Sequence, residues 1–268
     1  MSQVRAALVI QNCRVGRFDE NLNHCLGLIS RAAASKAAIV VFPEMNLTGY
    51  AAGPKIPDIA RPLDRQWTGK ILGAAEKFNI TVLAGLAEKD RDQRIRATHL
   101  VFTPAGKINL YRKIHLAPQE NGHCLPGNQI RVFECLGIRF GIQLCYDAHF
   151  PELSTAMALD KADVIFMPHA SPRGTPEEKL DSWMRHMTAR AFDNGVYIAA
   201  VNQCGNNGGG LFFPGLSLVI GPDGLLKSKR MEGDDTIHLT DIDLEFLNAV
   251  RSHRMRYFLP HRRTDLFS

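Results

Sequence analysis

Apolar residues recur along the chain with two different periods, and the two periods predict strands that alternate with helices. Residues 4–11 alternate and are rich in strand-forming residues, which favours a strand. After Asp19 and Glu20, acids suited to the positive end of a helix, apolar residues recur every three or four positions, as on one face of a helix. Residues 38–42 form a continuous apolar run that ends at Pro43, which is typical of a strand buried on both faces.

The same alternation, interrupted by hairpins, continues to the end of the chain. In chain order the pattern predicts a helix at residues 67–78, a strand at 80–87, a hairpin of 98–103 with 108–112, a hairpin of 132–135 with 138–144, a helix at 151–160, a strand at 163–167, a helix around 180–191, a strand at 196–202, a hairpin of 216–220 with 225–228 and a strand at 237–242. No internal repeat or domain linker is visible in the sequence. Strands mixed with helices and hairpins indicate an α/β protein with mixed sheets, whose apolar strands are covered by helices.

The composition is that of an ordinary globular protein. Of the 268 residues, 45% are hydrophobic and 22% are charged, which excludes a disordered or collagen-like chain and allows one large domain or two small ones. The net charge of +5 is local, because residues 251–263 hold five arginines and no acid. No apolar window reaches the roughly 18 residues of a membrane helix, no secretory cleavage pattern is present, and the six cysteines form no C-x-x-C pair. We therefore expect a cytoplasmic protein with reduced thiols and no membrane partner.

Three polar residues lie just past predicted strand ends, where side chains can converge on one pocket: Glu44, Lys113 and Cys145. Cys145 follows an apolar strand and precedes a helical turn. Backbone N–H groups and a nearby cation at such a position lower the pKa of a thiol below its ordinary value of about 8.5 and make it nucleophilic. A cysteine considered alone is more often a buried packing residue.

Glu44 and Lys113 have complementary chemistry. Partial desolvation at the end of an apolar strand raises the pKa of Glu44, so that it can act as a general base. Lys113 can place an ammonium against a developing oxyanion. Considered alone, each is typical of a solvated surface residue.

The motifs around these three residues support a catalytic role more strongly than any of the residues does alone. The segments FPEMNLTGY at 42–50, YRKIHL at 111–116 and LCYDAHFPE at 144–152 resemble, in order, the three signatures of the nitrilase, or carbon–nitrogen hydrolase, superfamily. Glu120, followed by Leu125-Pro126-Gly127, resembles the second-glutamate motif of that family, and residues 189–195 resemble its helix before a core strand. The resemblance thus spans nearly the whole chain. One departure is Ala97-Thr98, where an Asn-Ser pair usually precedes the hairpin that carries the lysine.

The resemblance implies a four-layer α-β-β-α sandwich with two mixed β-sheets packed face to face, and no metal or organic cofactor. It implies a catalytic triad of Glu44, Lys113 and Cys145, with Glu120 as auxiliary carboxylate and the backbone N–H of Tyr146 as an oxyanion donor. It also implies a homodimer or a larger homo-oligomer. We expect one hydrolase domain over residues 1–250 and a basic C-terminal arm over 251–268 at the subunit interface.

The reaction implied by the resemblance is hydrolysis of a non-peptide C–N bond in a small amide or carbamoyl amine, through a thioester, with release of ammonia or an amine. True nitrilases usually have Trp-Glu after the cysteine, whereas Tyr146-Asp147 is similar to the amidase and carbamoylase branches, so we favour an amide over a nitrile. Candidate substrate-binding residues are Tyr50, His149 and Arg173. Arg173 can hold a substrate carboxylate, although an arginine in a Pro/Gly-rich loop is usually solvated.

Other classes of function have weaker support. The sequence lacks the local signatures of a Cys/His protease and the H-E-x-x-H motif of a metal hydrolase. The basic arm mixes arginines with aromatic residues, as nucleic-acid-binding segments do, but Tyr257, Phe258 and Leu259 favour a packed arm, so we expect no nucleic-acid partner. A non-catalytic scaffold is disfavoured by the retained triad. Residues 212–214, after a glycine run, form either a mobile lid or an apolar loop.

Overall fold

The computed structural model describes residues 2–266; residue 1 of the expected domain and residues 267–268 of the expected arm lie outside this range. The strands are β1 Gln3–Ile10, β2 Ile39–Val41, β3 Thr81–Lys89, β4 Ile95–Phe102, β5 Ile108–Arg112, β6 Val132–Cys135, β7 Ile138–Ile142, β8 Val164–His169, β9 Tyr197–Asn202, β10 Cys204–Asn206, β11 Phe212–Pro214, β12 Ser217–Ile220, β13 Leu226–Arg230 and β14 Thr236–Asp243. The α-helices are α1 Phe18–Ala34, α2 Ile56–Ile59, α3 Arg65–Phe78, α4 Pro151–Leu159, α5 Pro176–Asn194 and α6 Leu244–Ser252, and short 3-10 helices span Gly53–Lys55, Cys145–His149 and Leu259–His261.

Two six-stranded sheets follow the same plan. The first has the order β14-β1-β2-β3-β4-β5 and the second the order β6-β7-β8-β9-β12-β13. In each sheet the second, third and fourth strands are parallel and every other neighbouring pair is antiparallel. Both sheets are therefore mixed, and the molecule contains a structural repeat that the sequence does not reveal.

Helices cover the outer faces of both sheets. On the first sheet, Leu22 and Ile29 of α1 and Ile71 of α3 are buried in one apolar cluster with residues of β1 to β4. On the second, α4 and α5 provide the cover, and Met187 of α5 is fully buried. The inner faces meet in a larger cluster that holds residues of both sheets, such as Leu83 and Phe140. This architecture confirms the expected four-layer α-β-β-α sandwich.

Three elements were not predicted from the sequence: α2, the β10–β11 hairpin and α6. The first two have only three or four residues per element, too few for a period to be read. Helix α6 carries a recognisable start, because the Asp243 carboxylate accepts the Phe246 N–H at 2.9 Å. Arg251, the first residue of the expected arm, belongs to α6 and donates to Asp163 at 2.8 Å and to the Gly195 carbonyl at 2.9 Å.

Within residues 2–266, none of the helices has both the length and the apolar character needed to cross a bilayer.

Candidate active site

The predicted triad residues follow strands of both sheets. Glu44 comes three residues after β2, and Lys113 directly after β5, both in the first sheet; Cys145 follows β7 of the second sheet. Because the sheets pack face to face, these strand ends meet between them. The backbone of Lys113 is held on both sides: its N–H donates to the Ala97 carbonyl at 2.9 Å, and its carbonyl accepts the Gly127 N–H at 2.7 Å. The pair at 97–98 that departs from the family pattern thus still supports the lysine through a backbone bond.

Lys113 bridges two buried carboxylates. Its Nζ lies 2.8 Å from Oε1 of Glu44 and 2.9 Å from Oε1 of Glu120, and all three side chains are at most 1% exposed. Ion pairs this deeply buried are stable only when the remaining polar atoms also have partners. The ammonium uses two of its three N–H groups on the carboxylates, so one N–H remains for another acceptor.

Backbone and side-chain donors orient both carboxylates. Oε2 of Glu44 accepts the Ala170 N–H at 3.1 Å, and the Glu44 carbonyl accepts Nε2 of Gln203 at 2.8 Å. Oε2 of Glu120 accepts the Ala117 N–H at 2.8 Å, and its Oε1 accepts the Tyr50 hydroxyl at 3.3 Å. The carboxylates are thus held by residues from both sheets.

Cys145 begins the 3-10 helix Cys145–His149 and has a left-handed backbone with φ of 45°. Such a conformation costs on the order of 1–3 kcal/mol for a residue other than glycine and is concentrated at functional sites. Cys145 as a whole residue is partly exposed, whereas the protein around its sulfur disfavours negative charge there. The N–H of Tyr146, the second residue of this helix, belongs to the first turn, where the helix itself does not use the N–H groups.

Asp147 connects the segments that carry Cys145 and Lys113, a role that was not predicted from the sequence. It is fully buried and accepts the Leu144 N–H at 3.0 Å and the Tyr111 hydroxyl at 2.9 Å. Its other oxygen accepts the His115 N–H at 2.8 Å and faces the Nδ1 of that histidine at 3.0 Å. Asp147 therefore ties the turn that carries Cys145 to the segment that carries Lys113. An aspartate in the first turn of a helix was the available signal.

Burial and charge act on the carboxylate and the ammonium in opposite ways. Burial raises the pKa of Glu44 to about 7, against the opposing effect of the Lys113 charge. Burial alone disfavours the ammonium of Lys113, but Glu44 and Glu120 outweigh it and raise the pKa of Lys113 well above its ordinary value. Glu44 can thus exchange a proton near neutral pH, as expected from the sequence, while Lys113 remains a fixed cation.

The expectation of a lowered thiol pKa at Cys145 is wrong. Burial and the Glu44 charge raise the pKa of Cys145 to about 12, although Lys113 and a hydrogen bond from the Ala170 N–H lower it. A nearby cation and backbone N–H groups could be expected from the sequence, whereas the two carboxylates that neutralise the cation meet it only in the folded chain. Burial and the two carboxylates therefore favour the thiol form of Cys145 over the thiolate.

The three candidate substrate-binding residues lie in different environments. Tyr50 is buried, with its ring edge-on to Phe213 at 6.4 Å, and it contacts Glu120. His149 is exposed, and its ring lies 5.5 Å from that of Tyr146. Arg173 is also exposed, in the loop after β8, and its backbone N–H donates to the Phe212 carbonyl at 3.1 Å.

The segment considered as a lid or an apolar loop is β11. It pairs with β10, and Phe213 is fully buried while Phe212 is 58% exposed. Within residues 2–266, no group of three or more His, Cys, Asp or Glu side chains is arranged to hold a metal ion.

Comparison with known proteins places the chain in a family. The family model described as carbon-nitrogen hydrolase matches residues 5–252. An (R)-stereoselective amidase from a Pseudomonas species is 31% identical over 242 residues, covering 89% of this chain and 84% of the relative. A nitrilase from Pyrococcus abyssi is 30% identical over 274 residues, covering 98% and 99%. A carbon-nitrogen hydrolase of known structure from Helicobacter pylori has a TM-score of 0.86 at 27% identity, covering 99% of this chain and 97% of that one. These similarities confirm the resemblance found in the sequence: the chain is an enzyme of the carbon-nitrogen hydrolase family.

Proposed function

We propose that the protein hydrolyses a small amide or carbamoyl amine through a thioester on Cys145, with Glu44 and Lys113 as its catalytic partners. The observation that carries this proposal is the buried cluster in which Lys113 contacts Glu44 at 2.8 Å and Glu120 at 2.9 Å. The raised pKa of Glu44, the fixed charge of Lys113 and the electrostatic effect of both on Cys145 support the proposal.

Acylation begins when ionised Glu44 accepts the thiol proton as the sulfur of Cys145 attacks the amide carbon. The electron pair of the carbonyl moves to its oxygen, which accepts the free N–H of Lys113 and the N–H of Tyr146. Each well-placed donor of this kind is worth about 3 kcal/mol of transition-state stabilisation. Glu44 then returns the proton to the departing nitrogen, and ammonia or an amine leaves.

Deacylation uses the same groups in reverse. Glu44 removes a proton from a water molecule, the oxygen attacks the thioester carbon, and Lys113 and Tyr146 again stabilise the oxyanion. The thiolate leaves and recovers its proton from Glu44, and the acid is released. Glu120 is the auxiliary carboxylate in this scheme: it orients Lys113 and adds a second negative charge that keeps the ammonium protonated.

Tyr146-Asp147 supports an amide rather than a nitrile, although relatives carry both names, amidase and nitrilase. The fold alone does not select between them. Tyr50 contributes to substrate binding through Glu120, whereas His149 and Arg173, both exposed, contact the outer part of a bound substrate. A true nitrilase is the second candidate.

The decisive experiment is an ammonia-release assay on a panel of primary amides, carbamoyl amines and nitriles. We expect turnover of amides, and loss of at least a thousandfold in kcat for Cys145→Ala with an unchanged melting temperature. Cys135→Ala is the matched control, because Cys135 lies on β6 and contacts Thr81 at the start of β3, at the end of the strand away from Glu44. Turnover of nitriles alone would select the alternative, and activity retained in Cys145→Ala would refute the nucleophile.

We also propose a homodimer or larger homo-oligomer in the cytoplasm, with one hydrolase domain and the basic arm at the interface. Ile130 and Leu159, each about half exposed, line one groove with Arg262 and Leu266 of the arm, which supports a contact there. All six cysteines are unpaired thiols, which supports a reducing compartment. A monomer in sedimentation velocity at micromolar concentration would contradict the assembly.

A further inference from the structure

A cleft lined by arginines lies at the edge of the first sheet. It has a volume of about 310 Å³ and lies between β5, the last strand of that sheet, and the segment that leads to β6. Its polar lining consists of Arg96 of β4, Arg112 of β5, Arg131, Asn128 and Gln129. None of the described residues that line the cleft is acidic. The cleft therefore concentrates positive charge in a small space.

The charge of Arg131 is not paired within residues 2–266. Arg131 is half-buried, its Nη1 donates to the Leu110 carbonyl at 3.1 Å, and its guanidinium lies 5.7 Å from the centre of the Phe133 ring. Among the described residues, no carboxylate oxygen lies within 4.0 Å of this guanidinium. Because a partly desolvated charge is costly without a partner, an anionic ligand would stabilise Arg131.

Acids outside the cleft orient the other two arginines. Arg112 donates from Nε and Nη2 to the two carboxylate oxygens of Glu88, at 2.9 Å and 2.7 Å. Arg96 donates from Nε to Asp90 at 3.4 Å and from Nη1 to the Pro126 carbonyl at 2.8 Å. Neither acid lines the cleft, and each guanidinium keeps more than half of its five N–H groups. Both guanidinium groups are therefore preorganised and still have donors for a ligand.

The edge of β5 adds backbone donors to the cleft. The Lys113 N–H donates towards β4 at 2.9 Å, so the N–H groups of Leu110 and Arg112, which alternate with it along the antiparallel ladder, point away from β4. The carbonyls at this edge are covered. That of Leu110 accepts Arg131 at 3.1 Å, and that of Arg112 packs against Gly127, where a Cβ atom would collide with it. The edge therefore offers donors, which are the groups that an anion requires.

We propose that this cleft binds a phosphate group, either as free phosphate or as the monoester of a small metabolite. A phosphate offers at least three acceptor oxygens and up to two negative charges, so it can accept from three guanidinium groups at once. A carboxylate offers two oxygens and one charge. A volume of about 310 Å³ is at the lower end of the range for ligand pockets and therefore fits a small molecule.

The proposed phosphate site is separate from the proposed active site. Successive side chains of a strand point to opposite faces of the sheet. Arg112 accordingly lines the cleft, whereas Lys113 contacts Glu44 at 2.8 Å and Glu120 at 2.9 Å. The inference goes beyond the proposed function, because a phosphate in the cleft takes no part in the hydrolysis.

Isothermal titration calorimetry of the full chain in a phosphate-free buffer tests the inference, with inorganic phosphate, glycerol 3-phosphate, glycerate and glycerol as probes. We expect saturable binding of at least one of the two phosphates with a Kd of about 1 mM or less. Glycerate should bind at least about tenfold more weakly than the better phosphate, and glycerol should not bind. The relative affinities of inorganic phosphate and glycerol 3-phosphate then identify the preferred source of the phosphate group.

Variants assign the binding to the cleft. Arg131→Met should weaken phosphate binding at least about tenfold, and Arg131→Lys should keep part of the affinity, because lysine retains the charge but not the planar fork. Arg31→Met, which removes an exposed arginine of α1, is the matched control and should bind like the wild type. Melting temperatures report whether each variant folds, and Arg96→Met, with the same expected loss, replaces Arg131→Met if the latter does not fold.

The absence of saturable binding of either phosphate to the wild type would overturn the inference, even if the protein is retained on heparin, since retention alone shows only a general attraction for polyanions. Glycerate binding as tightly as glycerol 3-phosphate would also overturn it. Equal affinities in Arg131→Met and Arg31→Met would remove the cleft as the site. Cys145→Ala should bind phosphate like the wild type, and a loss of binding in that variant would place the phosphate in the active site instead.

Discussion

Glu44 and Cys145 show how one desolvated environment serves two residues at once. Burial raises the pKa of both, to about 7 and about 12, because it disfavours negative charge on each. For the glutamate the result is a carboxyl group that exchanges protons near neutral pH; for the cysteine it is a thiol, which in the proposed mechanism reacts only when Glu44 removes its proton. Lys113 limits the rise at both residues.

In the proposed mechanism, the pH dependence of catalysis follows from the Glu44 carboxylate. Only its ionised form can accept the thiol proton. We therefore expect kcat/KM to be low where Glu44 is protonated and to rise with pH through an apparent pKa near 7. Glu44→Gln should lower kcat/KM by a thousandfold or more. A pH profile of ammonia release checks both expectations.

If kcat/KM instead fell only near pH 4 to 5, the result would contradict this role, because it would indicate a solvated carboxylate of ordinary pKa. Glu152→Gln is the control: Glu152 is exposed in the first turn of α4, seven residues from Cys145, and its removal should leave the profile unchanged.

At the scale of elements, the site depends on how two strand ends are joined. The end of β5 and the turn after β7 belong to different sheets, and Asp147 connects them through Tyr111 and Leu144. β5 and β7 themselves could be predicted, because each belongs to a hairpin with a turn signal in the sequence. Helix α6 was missed although Asp243 marks its start, and β10 and β11 were missed because three residues carry no period.

Asp147→Asn tests this connection. The variant keeps one acceptor oxygen but loses the charge that strengthens four contacts, so we expect a loss of stability of about 1–3 kcal/mol and a fall in kcat of at least tenfold. Urea denaturation and the ammonia assay measure the two effects.

Asp163→Asn is the matched control for Asp147→Asn. Asp163 accepts the Arg139 N–H at 2.9 Å and Nη1 of Arg251 at 2.8 Å directly before β8, at the opposite end of the strands from Cys145. It should lose stability without a comparable loss of kcat. An Asp147→Asn enzyme with wild-type kcat would show that the connection does not position the catalytic groups.

At the scale of the whole molecule, the sandwich buries several histidines in the neutral form. Burial lowers the pKa of His99 to about 3 and those of His186 and His238 to about 4. His99 of β4 is fully buried against Gly85, and neither ring nitrogen has a hydrogen-bond partner among the described residues. In the unfolded chain such groups have a pKa near 6.5, so between pH 6.5 and 4 the unfolded state binds more protons than the folded state.

The linkage between protons and folding then sets the acid stability. Because the folded pKa is lowered, the contribution of each such histidine to the free energy of unfolding falls as pH falls below about 6.5, by up to about 1.4 kcal/mol per pH unit, whereas the raised pKa of Glu44 contributes with the opposite sign. We expect His99→Leu to reduce this slope by about one proton between pH 6 and 4.5, measured by urea denaturation. His261→Gln, at an exposed position, should keep the wild-type slope. An unchanged slope in His99→Leu would contradict the account.

The sequence by itself determined the alternation of strands and helices, the mixed α/β class and the motifs that contain Glu44, Lys113 and Cys145, because periodicity and motifs are local properties of the chain. The tertiary structure decided which charges meet: Lys113 contacts Glu44 across 69 positions, and Asp147 contacts Tyr111 across 36. It also decided the direction of the Cys145 pKa, since desolvation and the distances between charges depend on residues that are far apart in sequence.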